Sequence, residues 1–392
     1  MAGTLLQEAI GFAGELVGWR RYLHQNPELD LQLPVTTAFV EKQLTEMGIS
    51  YEKSEEAGYI TAVLGEGKKC FMLRSDMDGL PVKEESGLEC ASENGCMHAC
   101  GHDLHATILL GAAKLLKAHE SELKGKVKLL FQPGEETFRG AKAAVEEGVL
   151  ENPHVDAAFA MHVASIVPVG VIAYGTDPMS SVYGFKITLT GKGGHGSMPE
   201  LCVDPINAGV QIYLAMQSLI ARECPSAEEA VLTIGQFDAG NAANVIPERA
   251  VLQGTLRTFK KEVAEKLIQR IEEVVKSVAS TYRVKADLEV LYNVPSVNCK
   301  EELNAEFVNS IKELNPQFQV LPLLHVMGSE DFAFVTEKVP SGYFTIGAGI
   351  EDQSKWVGQH NPKVQFNEAC LPIGAASYAK VAMDWLDKHG EE

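Results

Sequence analysis

One short stretch of the chain concentrates side chains that bind metal ions. Met97–His105 contains one cysteine, three histidines and an aspartate, and apolar residues at helical spacing follow it directly. Thiolate and imidazole groups are typical ligands of zinc and of other late first-row divalent ions. A buried cysteine beside surface histidines would give the same letters, so a metal site requires further ligands from elsewhere in the chain.

Side chains of the required kind follow three successive predicted strands. They are Asp76 and Asp78 after Cys70–Leu73, Glu135 and Glu136 after Lys126–Phe131, and His162 after Ala157–Met161. Because the ends of parallel strands in one sheet lie close together, we expect these side chains to converge in space. The alternation of strands and helices predicts an α/β fold with a layered sheet.

A set of five candidate metal ligands results from this pattern: Cys100, His102, Glu136, His162 and His360. Five protein ligands exceed one tetrahedral shell, but with a bridging group they suit two ions about 3.5–4 Å apart, a usual arrangement in hydrolases. A thiolate can bridge two ions, and Cys100 is the candidate for that position. We expect two divalent ions per subunit, Zn²⁺ first, with Mn²⁺, Co²⁺ or Ni²⁺ also compatible with the ligand set.

The adjacent glutamates can divide the work of binding and catalysis between them. Neighbouring residues of an extended chain point in opposite directions, so Glu136 can bind metal while Glu135 faces a bound water. Glu135 could then act as general base and afterwards as general acid. A solvated loop would also explain the pair. Asp78 could orient a metal-binding histidine, although a turn residue before Gly79 is an equally simple interpretation.

The middle of the chain follows a different pattern. From about Val182 the predicted elements run β-α-β-β-α-β, which is the ferredoxin-like plan and suits an inserted domain. We predict a discontinuous catalytic, metal-binding domain of residues 1–181 and 295–392, and an inserted lid or dimerisation domain of residues 182–294. The exposed sheet edges of such an insert pair readily with another copy, so we expect a homodimer or homotetramer.

Three polar residues of the insert are further candidates. His195 lies in the glycine-rich loop Gly191–Ser197 and could donate a hydrogen bond to a developing oxyanion, unless it is simply a solvated loop histidine. Asn244 and Arg257 stand near strand ends and could bind a substrate carboxylate, although both also suit an ordinary protein surface.

Composition excludes some classes of partner. The chain has 392 residues and a formal net charge of −19, which disfavours nucleic acid as a ligand. No apolar stretch reaches membrane length, and no signal peptide is evident, so we expect a cytoplasmic protein without a membrane partner. The eight cysteines form no CxxC pair and are expected to be reduced thiols.

Several motifs together resemble the M20 metallopeptidase family, and within it the amidohydrolase subfamily of hippurate, N-acyl-L-amino-acid and auxin-conjugate hydrolases. The resemblance covers nearly the whole chain and is carried by Arg21–His24 with Pro27–Glu28, Arg74–Asp78, His98–Asp103, Gly134–Glu136, Met161–His162, Gly193–His195, Asn244–Pro247 and Ser329–Phe332. It implies a mixed-sheet, zinc-peptidase-like catalytic domain and places the family's metal ligands on the five candidates above. It also implies that Glu135 is the catalytic base.

The same resemblance suggests roles for the insert. It implies that His195 reaches an active site across a dimer interface and that Asn244 and Arg257 contact substrate. Most M20 peptidases have a histidine where this chain has Asp76, and a bridging aspartate where it has Cys100. That departure is typical of the amidohydrolase subfamily and disfavours peptide substrates.

These inferences predict an aminoacylase-type enzyme that hydrolyses the amide bond of N-acyl amino acids to a carboxylic acid and a free amino acid. The alternative within the family is a dipeptidase or carboxypeptidase. The alternative from another class is a non-catalytic binder that keeps the fold, and a lost Glu135 or a lost ligand would be its mark; neither is lost in this chain.

Overall fold

The chain is organised as two units, each with its own sheet. The structure, a computed structural model, describes residues 2–322 and 325–391. Within those residues the first unit combines residues 2–178, 297–322 and 331–391, and the second combines residues 179–296 and 325–330.

The second unit includes a short segment that the sequence prediction assigned to the catalytic domain. Residues 325–330 belong with it because the backbone N–H of Ser180 donates to the carbonyl of Gly328, and a β-bridge joins Met179 to Val326. The predicted boundaries, 181/182 and 294/295, lie within three residues of the observed ones at 178/179 and 296/297. The roles of lid and dimerisation domain stay predictions.

The helices and strands alternate along the first unit and change order in the second. The helices are α1 Ala2–Gly11, α2 Ala13–Gln25, α3 Pro34–Glu46, α4 His102–Ala118, α5 Gly140–Glu146, α6 Pro205–Glu223, α7 Lys261–Tyr282, α8 Glu301–Leu314, α9 Ala333–Thr336 and α10 Cys370–His389. The strands are β1 Tyr51–Lys53, β2 Ile60–Leu64, β3 Cys70–Asp76, β4 Lys126–Gln132, β5 Ala157–Pro168, β6 Val171–Tyr174, β7 Ser181–Thr190, β8 Gly194–His195, β9 Ala230–Ala239, β10 Val245–Ile246, β11 Arg249–Thr258, β12 Lys285–Val294, β13 Gln319–Pro322 and β14 Ser341–Gly349.

The first unit is built on a mixed sheet with strand order β1-β2-β4-β3-β5-β14-β6-β13. Its central strands β4, β3, β5 and β14 are parallel to one another, and all seven residues of β3 are buried, as expected for a strand covered on both faces. Because β3, β4 and β5 run in the same direction, the residues that follow them gather at one edge. The predicted α/β fold with a mixed sheet is confirmed.

Two apolar helices hold the strand ends of the first unit together. α4 and α10 are apolar on nearly all sides and pack so closely that a Cβ on Gly111 would lie 2.8 Å from the Cβ of Ala375. From α10, the hydroxyl of Tyr378 donates to the carbonyl of Arg74 at 2.6 Å and accepts from the backbone N–H of Met161 at 2.8 Å. The two hydrogen bonds fix β3 and β5 relative to each other just before their polar ends.

The second unit has a four-stranded antiparallel sheet with the order β12-β7-β11-β9, and α6 and α7 supply the apolar side chains that pack against it. The side chain of Asp204 caps α6 by accepting from the backbone N–H of Ile206 at 2.8 Å. A two-stranded ribbon of β8 and β10 belongs to the same unit. The predicted β-α-β-β-α-β plan is confirmed.

The state of the cysteines and the length and polarity of the helices can be compared with what the composition predicts. All eight cysteines are free thiols, and five of them are buried. Among the described residues, no helix is long and apolar enough to cross a membrane. A cytoplasmic location stays a prediction.

Candidate metal centre

The five candidate ligands converge in the first unit as two groups that share one residue. Cys100, His102 and His162 form one group, Cys100, Glu136 and His360 the other, and the ligand atoms within each lie within 4.8 Å of one another. The Cys100 Sγ is 3.4 Å from His162 Nε2, and Glu136 Oε1 is 3.5 Å from His360 Nε2. A thiolate common to both groups has the position that a bridging ligand needs.

The glycine between Cys100 and His102 allows both side chains to reach the cluster. Gly101 has a φ of +93° and precedes the first residue of α4. A Cβ at this position would lie 2.5 Å from Val163 Cγ2, so any larger residue would be strained and would collide with β5. The helix N-terminus beside Cys100 also favours a negatively charged thiolate.

Asp78 orients His102 and the backbone of Glu136 together. Its Oδ1 accepts a hydrogen bond from His102 Nδ1 at 3.2 Å, and its Oδ2 accepts from the Glu136 backbone N–H at 3.1 Å. With its proton on Nδ1, neutral His102 has a lone pair on Nε2. Within residues 2–322 and 325–391, His102 Nε2 and Glu136 Oε1 are buried without a hydrogen-bond partner. A metal ion would satisfy both atoms.

His162 and His360 are held by contacts with the backbone. His162 donates from Nδ1 to the carbonyl of Val163 at 2.7 Å, which leaves its Nε2 directed at Cys100. The backbone N–H of His360 donates to the carbonyl of Ala99 at 2.9 Å, one residue before Cys100. The His360 side chain is 55% exposed, which makes it far more open to solvent than the side chains of His102 and Glu136.

Without metal, the cluster retains protons on some groups that a metal ion would displace. Burial raises the pKa of the Cys100 thiol, and the neighbouring Cys100 and Glu136 side chains raise the pKa of His360 to about 10. Burial lowers the pKa of His162 to about 3, so that ring is neutral. Burial also opposes protonation of His102, but Asp76, Cys100 and Asp78 outweigh it and raise its pKa. Because metal ligands must be deprotonated, binding would release protons from this site.

Glu135 lies beside the ligands. Its Oε2 is 3.9 Å from His102 Nε2, and the residue is 7% exposed. His102, Glu135 and Glu136 offer ligand atoms within 4.8 Å of one another, so a water at the cluster would be within reach of the Glu135 carboxylate. The position fits a general base, and the role stays a prediction.

A network of buried charged and polar side chains lies beside the candidate metal ligands. Arg74 donates to Asp76 at 2.8 Å and to Asp331 at 2.9 Å, and Asp76 accepts from His105 Nδ1 at 2.6 Å. Gln132, at the end of β4, donates to Asp331 at 2.8 Å. Burial raises the pKa of Asp76, but His102, His105 and Arg74 outweigh it and hold that pKa well below its usual range.

Sequence reasoning gave this network no role. The helical spacing of His105 from His102 was a signal, because residues three apart lie on the same side of a helix. Asp331 belongs to a motif that carried the family resemblance, but nothing in the sequence indicates that its carboxylate meets Arg74.

A family model described as peptidase family M20/M25/M40 matches residues 72–384. The chain belongs to this family. It is 38% identical over 379 residues to the IAA-amino acid hydrolase ILR1-like 4 of Arabidopsis thaliana, with 95% of this chain and 86% of the relative covered. It is 36% identical over 381 residues to the N-acetyl-L-cysteine deacetylase of Bacillus subtilis (strain 168), with coverages of 96% and 89%.

A solved structure of another M20 protein has the same fold as this chain. The crystal structure of the Bacillus subtilis YXEP protein, described as a dinuclear metal-binding peptidase of the M20 family, matches with a TM-score of 0.80 and 32% identity. The match covers 96% of this chain and 99% of that one. The predicted family is confirmed, and the chain is an enzyme of the hydrolase class.

The candidates of the second unit occupy a different kind of environment in this M20 hydrolase. His195 is exposed, and its Nδ1 accepts from the backbone N–H of Ser197 at 3.1 Å. Asn244 is also exposed, and its carbonyl accepts from the N–H of Gly196 at 2.8 Å. Arg257 donates from one terminal nitrogen to the carbonyl of Met327 at 2.7 Å. The catalytic and substrate-binding roles of His195, Asn244 and Arg257 stay predictions.

Proposed function

We propose that this M20 hydrolase uses two divalent metal ions to cleave the amide bond of N-acyl amino acids, releasing a carboxylic acid and a free amino acid. One observation carries the proposal: Cys100 belongs to both ligand groups. One thiolate placed between two sets of N and O ligands could bridge a pair of zinc-like ions.

The residues present fit such a pair of ions. His102 Nε2 and Glu136 Oε1, one atom from each group, are buried without a hydrogen-bond partner among the described residues. Leaving buried polar atoms unpaired costs about 1–3 kcal/mol each, which a bound cation would recover. When bound, the ions would polarise the substrate carbonyl and make water a nucleophile near neutral pH.

The chain's own residues then move the proton. Glu135 accepts a proton from water as the water oxygen attacks the amide carbon. The C–N bond breaks next, and the proton on Glu135 passes to the departing amine. Asp78 keeps the Nδ1 proton of His102 in place throughout, so that the Nε2 lone pair of His102 faces the site.

His195 is proposed to stabilise the tetrahedral oxyanion. Because the Ser197 N–H can only donate, the lone pair of His195 Nδ1 must accept it. The proton of the neutral ring is therefore on Nε2, so the exposed edge of the ring presents a donor. A donor is what a developing oxyanion needs.

The relatives support an N-acylated substrate. One is named an IAA-amino acid hydrolase and another an N-acetyl-L-cysteine deacetylase, and both names describe an amino acid whose nitrogen carries an acyl group. Asn244 and Arg257 are proposed to bind the substrate carboxylate. Arg257 has five N–H donors. One terminal nitrogen donates to the Met327 carbonyl and the Ser329 hydroxyl, so the other two nitrogens can donate to a ligand.

A homodimer, or a homotetramer built from it, is proposed to form through residues 182–294, with His195 acting in the partner's site. Strands β9 and β12 are the edges of the four-stranded sheet and can pair with another copy. Sedimentation at working concentration should give a dimer or tetramer. A fully active monomer would refute this role of His195.

A matched pair of substrates tests the reaction itself. N-acetyl-L-methionine and glycyl-L-methionine differ only by the free amino group on the carbon next to the acyl carbonyl. With Zn²⁺ or Mn²⁺ loaded, we expect kcat/KM to be at least about tenfold higher for the acetyl compound, because an uncharged acyl group suits an amidohydrolase.

A wider panel of benzoyl and indole-acetyl amino acids would then rank the acyl groups. Faster cleavage of the dipeptide would support the dipeptidase or carboxypeptidase alternative instead. If neither compound is cleaved and no divalent ion binds after reconstitution, the protein is a non-catalytic binder.

A further inference from the structure

The backbone of Val163 joins three segments of the candidate metal centre. Among the described residues, β3 pairs with β5 only as far as Ala160, so the following part of that edge of β5 is open to side chains. The Val163 N–H donates to His105 Nε2 at 2.8 Å. The Val163 carbonyl accepts from His162 Nδ1 at 2.7 Å and from Gln359 Nε2, also at 2.7 Å.

Gln359 is the residue that brings the loop before α10 into this arrangement. The hydroxyl of Ser165 in β5 donates to the carbonyl of Val357, two residues before Gln359, at 2.8 Å. The same hydroxyl lies 3.3 Å from Gln359 Oε1. The Gln359 amide N–H and the Ser165 hydroxyl therefore tie this loop to β5 at two points, one of which is the peptide that orients His162.

The next residue, His360, needs such support. Its φ of +65° lies in the left-handed region, which is strained for a residue other than glycine. Its side chain is 55% exposed, so surrounding packing gives it less support than the buried His102 receives. The backbone of His360 is held by the hydrogen bond to Ala99 and, through the preceding residue, by Gln359.

We infer that Gln359 is a positioning residue for the metal centre: through the Val163 carbonyl it holds His360 in register with His162, so that both histidines approach Cys100. The inference rests on the ligand set proposed above. It predicts that loss of the glutamine amide weakens binding of an ion at His360, while an ion held by His102 and His162, which are both less exposed than His360, would be affected less.

The test counts bound zinc on the full-length protein across a series of chelator-buffered Zn²⁺ concentrations. We expect Gln359→Leu to weaken one of the two binding steps by about 10- to 100-fold, the range for outer partners of metal ligands. Gln359→Glu is the second variant, and we expect it to weaken the same step, because it keeps the shape but places a carboxylate against the Val163 carbonyl. Melting of the chelator-treated protein measures any general loss of stability.

Gln365→Leu is the matched control. Gln365 lies in the same loop, is also partly buried, and likewise donates to a backbone carbonyl at 2.7 Å, but that carbonyl is Ser86, outside the ligand set. This variant should bind zinc like the wild type. Equal weakening by Gln365→Leu and Gln359→Leu would overturn the inference, because it would show only that the loop is loosened.

A double variant separates positioning from a general effect. In a His360→Ala background, Gln359→Leu should cause no further loss of zinc affinity, since the residue it positions is gone. A full additional loss would overturn the inference. If His360→Ala itself binds both ions like the wild type, the proposed ligand set fails together with the inference. If His360→Ala is weakened but Gln359→Leu is not, only the inference fails.

Discussion

Two regions of this protein set the ring orientation of a candidate site histidine by opposite means. In the first unit, His102 is fully buried, and the side chain of Asp78 sets its orientation. In the second unit, His195 is exposed, and the backbone of its glycine-rich loop sets its orientation through the N–H of Ser197. One histidine is held by charges in the core, and the other by chain geometry at the surface.

The difference determines what a mutation can damage. Buried ionised groups depend on their partners, so a change beside His102 should lower stability and metal affinity together. An exposed loop contributes little to the free energy of unfolding, so a change at His195 should lower the rate alone. The predictions below test this separation, from the largest expected effect to the smallest.

Glu135→Gln should have the largest effect on rate. Removing the general base should lower kcat by about 10²- to 10⁴-fold, because the amide of glutamine cannot accept the proton from water. Bound metal, measured by elemental analysis, should not change. Glu136→Gln is the paired variant, and it should lose metal instead. If the two variants behaved the other way round, the roles of the two glutamates would have to be exchanged.

Asp331→Asn should have the largest effect on stability. The substitution removes the Asp331 carboxylate from the buried guanidinium of Arg74, and breaking a buried ion pair costs about 3–5 kcal/mol. Urea unfolding measures the change. Asp30→Asn is the control, since its ion pair with Arg139 is exposed and should contribute at most about 1 kcal/mol. Similar values for both would show that the buried network does not stabilise the first unit.

His195→Ala should separate rate from stability. Loss of one oxyanion donor is expected to lower kcat by about 10²- to 10³-fold. The free energy of unfolding should stay within about 0.5 kcal/mol of the wild type, and the metal content should be unchanged. His154→Ala, at an exposed histidine of the first unit, should leave all three quantities unchanged. A stability loss of several kcal/mol at His195 would contradict the comparison.

Ser197→Ala should have the smallest effect. The hydroxyl of Ser197 lies 2.8 Å from His195 Nδ1, but the backbone N–H that fixes the tautomer remains in the variant. One hydrogen bond of about 0.5–1.5 kcal/mol corresponds to a fall in kcat of roughly 2- to 10-fold. Ser226→Ala, at an exposed serine of the same unit, is the control. No change in kcat would show that the backbone alone positions the ring.

Much of the first unit's site could be predicted from sequence because of a simple rule of topology. Side chains that follow parallel strands meet at one edge of the sheet, and Asp78 and Glu136 do so. His162 joins them from within β5, because that strand continues to Pro168 beyond its predicted end at Met161. Cys100 and His102 were close in sequence already. The residues behind them could not be predicted, because the contact between Arg74 and Asp331 depends on how distant segments pack, which no local pattern encodes.

In the second unit, the helices and strands could be predicted from sequence, but the orientation of a candidate side chain could not. Its elements were predicted well, because each strand and helix has a clear period and Asp204 marks the start of α6. The orientation of the His195 ring was not predicted, because it depends on one backbone N–H. The contact of Gln359 with Val163 was not predicted either, because it joins two distant segments of the chain.

The order of segments in the first unit has a consequence for synthesis in the cell. β14 and α10 complete its core, but in the chain they come after every strand of the second unit's four-stranded sheet. The ribosome makes the chain from the N-terminus, so all four strands of the inserted unit's sheet are synthesised before β14 and α10. At that stage residues 2–178 still lack α10, which packs against α4. His360, the last candidate ligand in the sequence, is synthesised after β14 and before α10. A nascent chain therefore carries exposed apolar surface and an incomplete ligand set for most of its time on the ribosome.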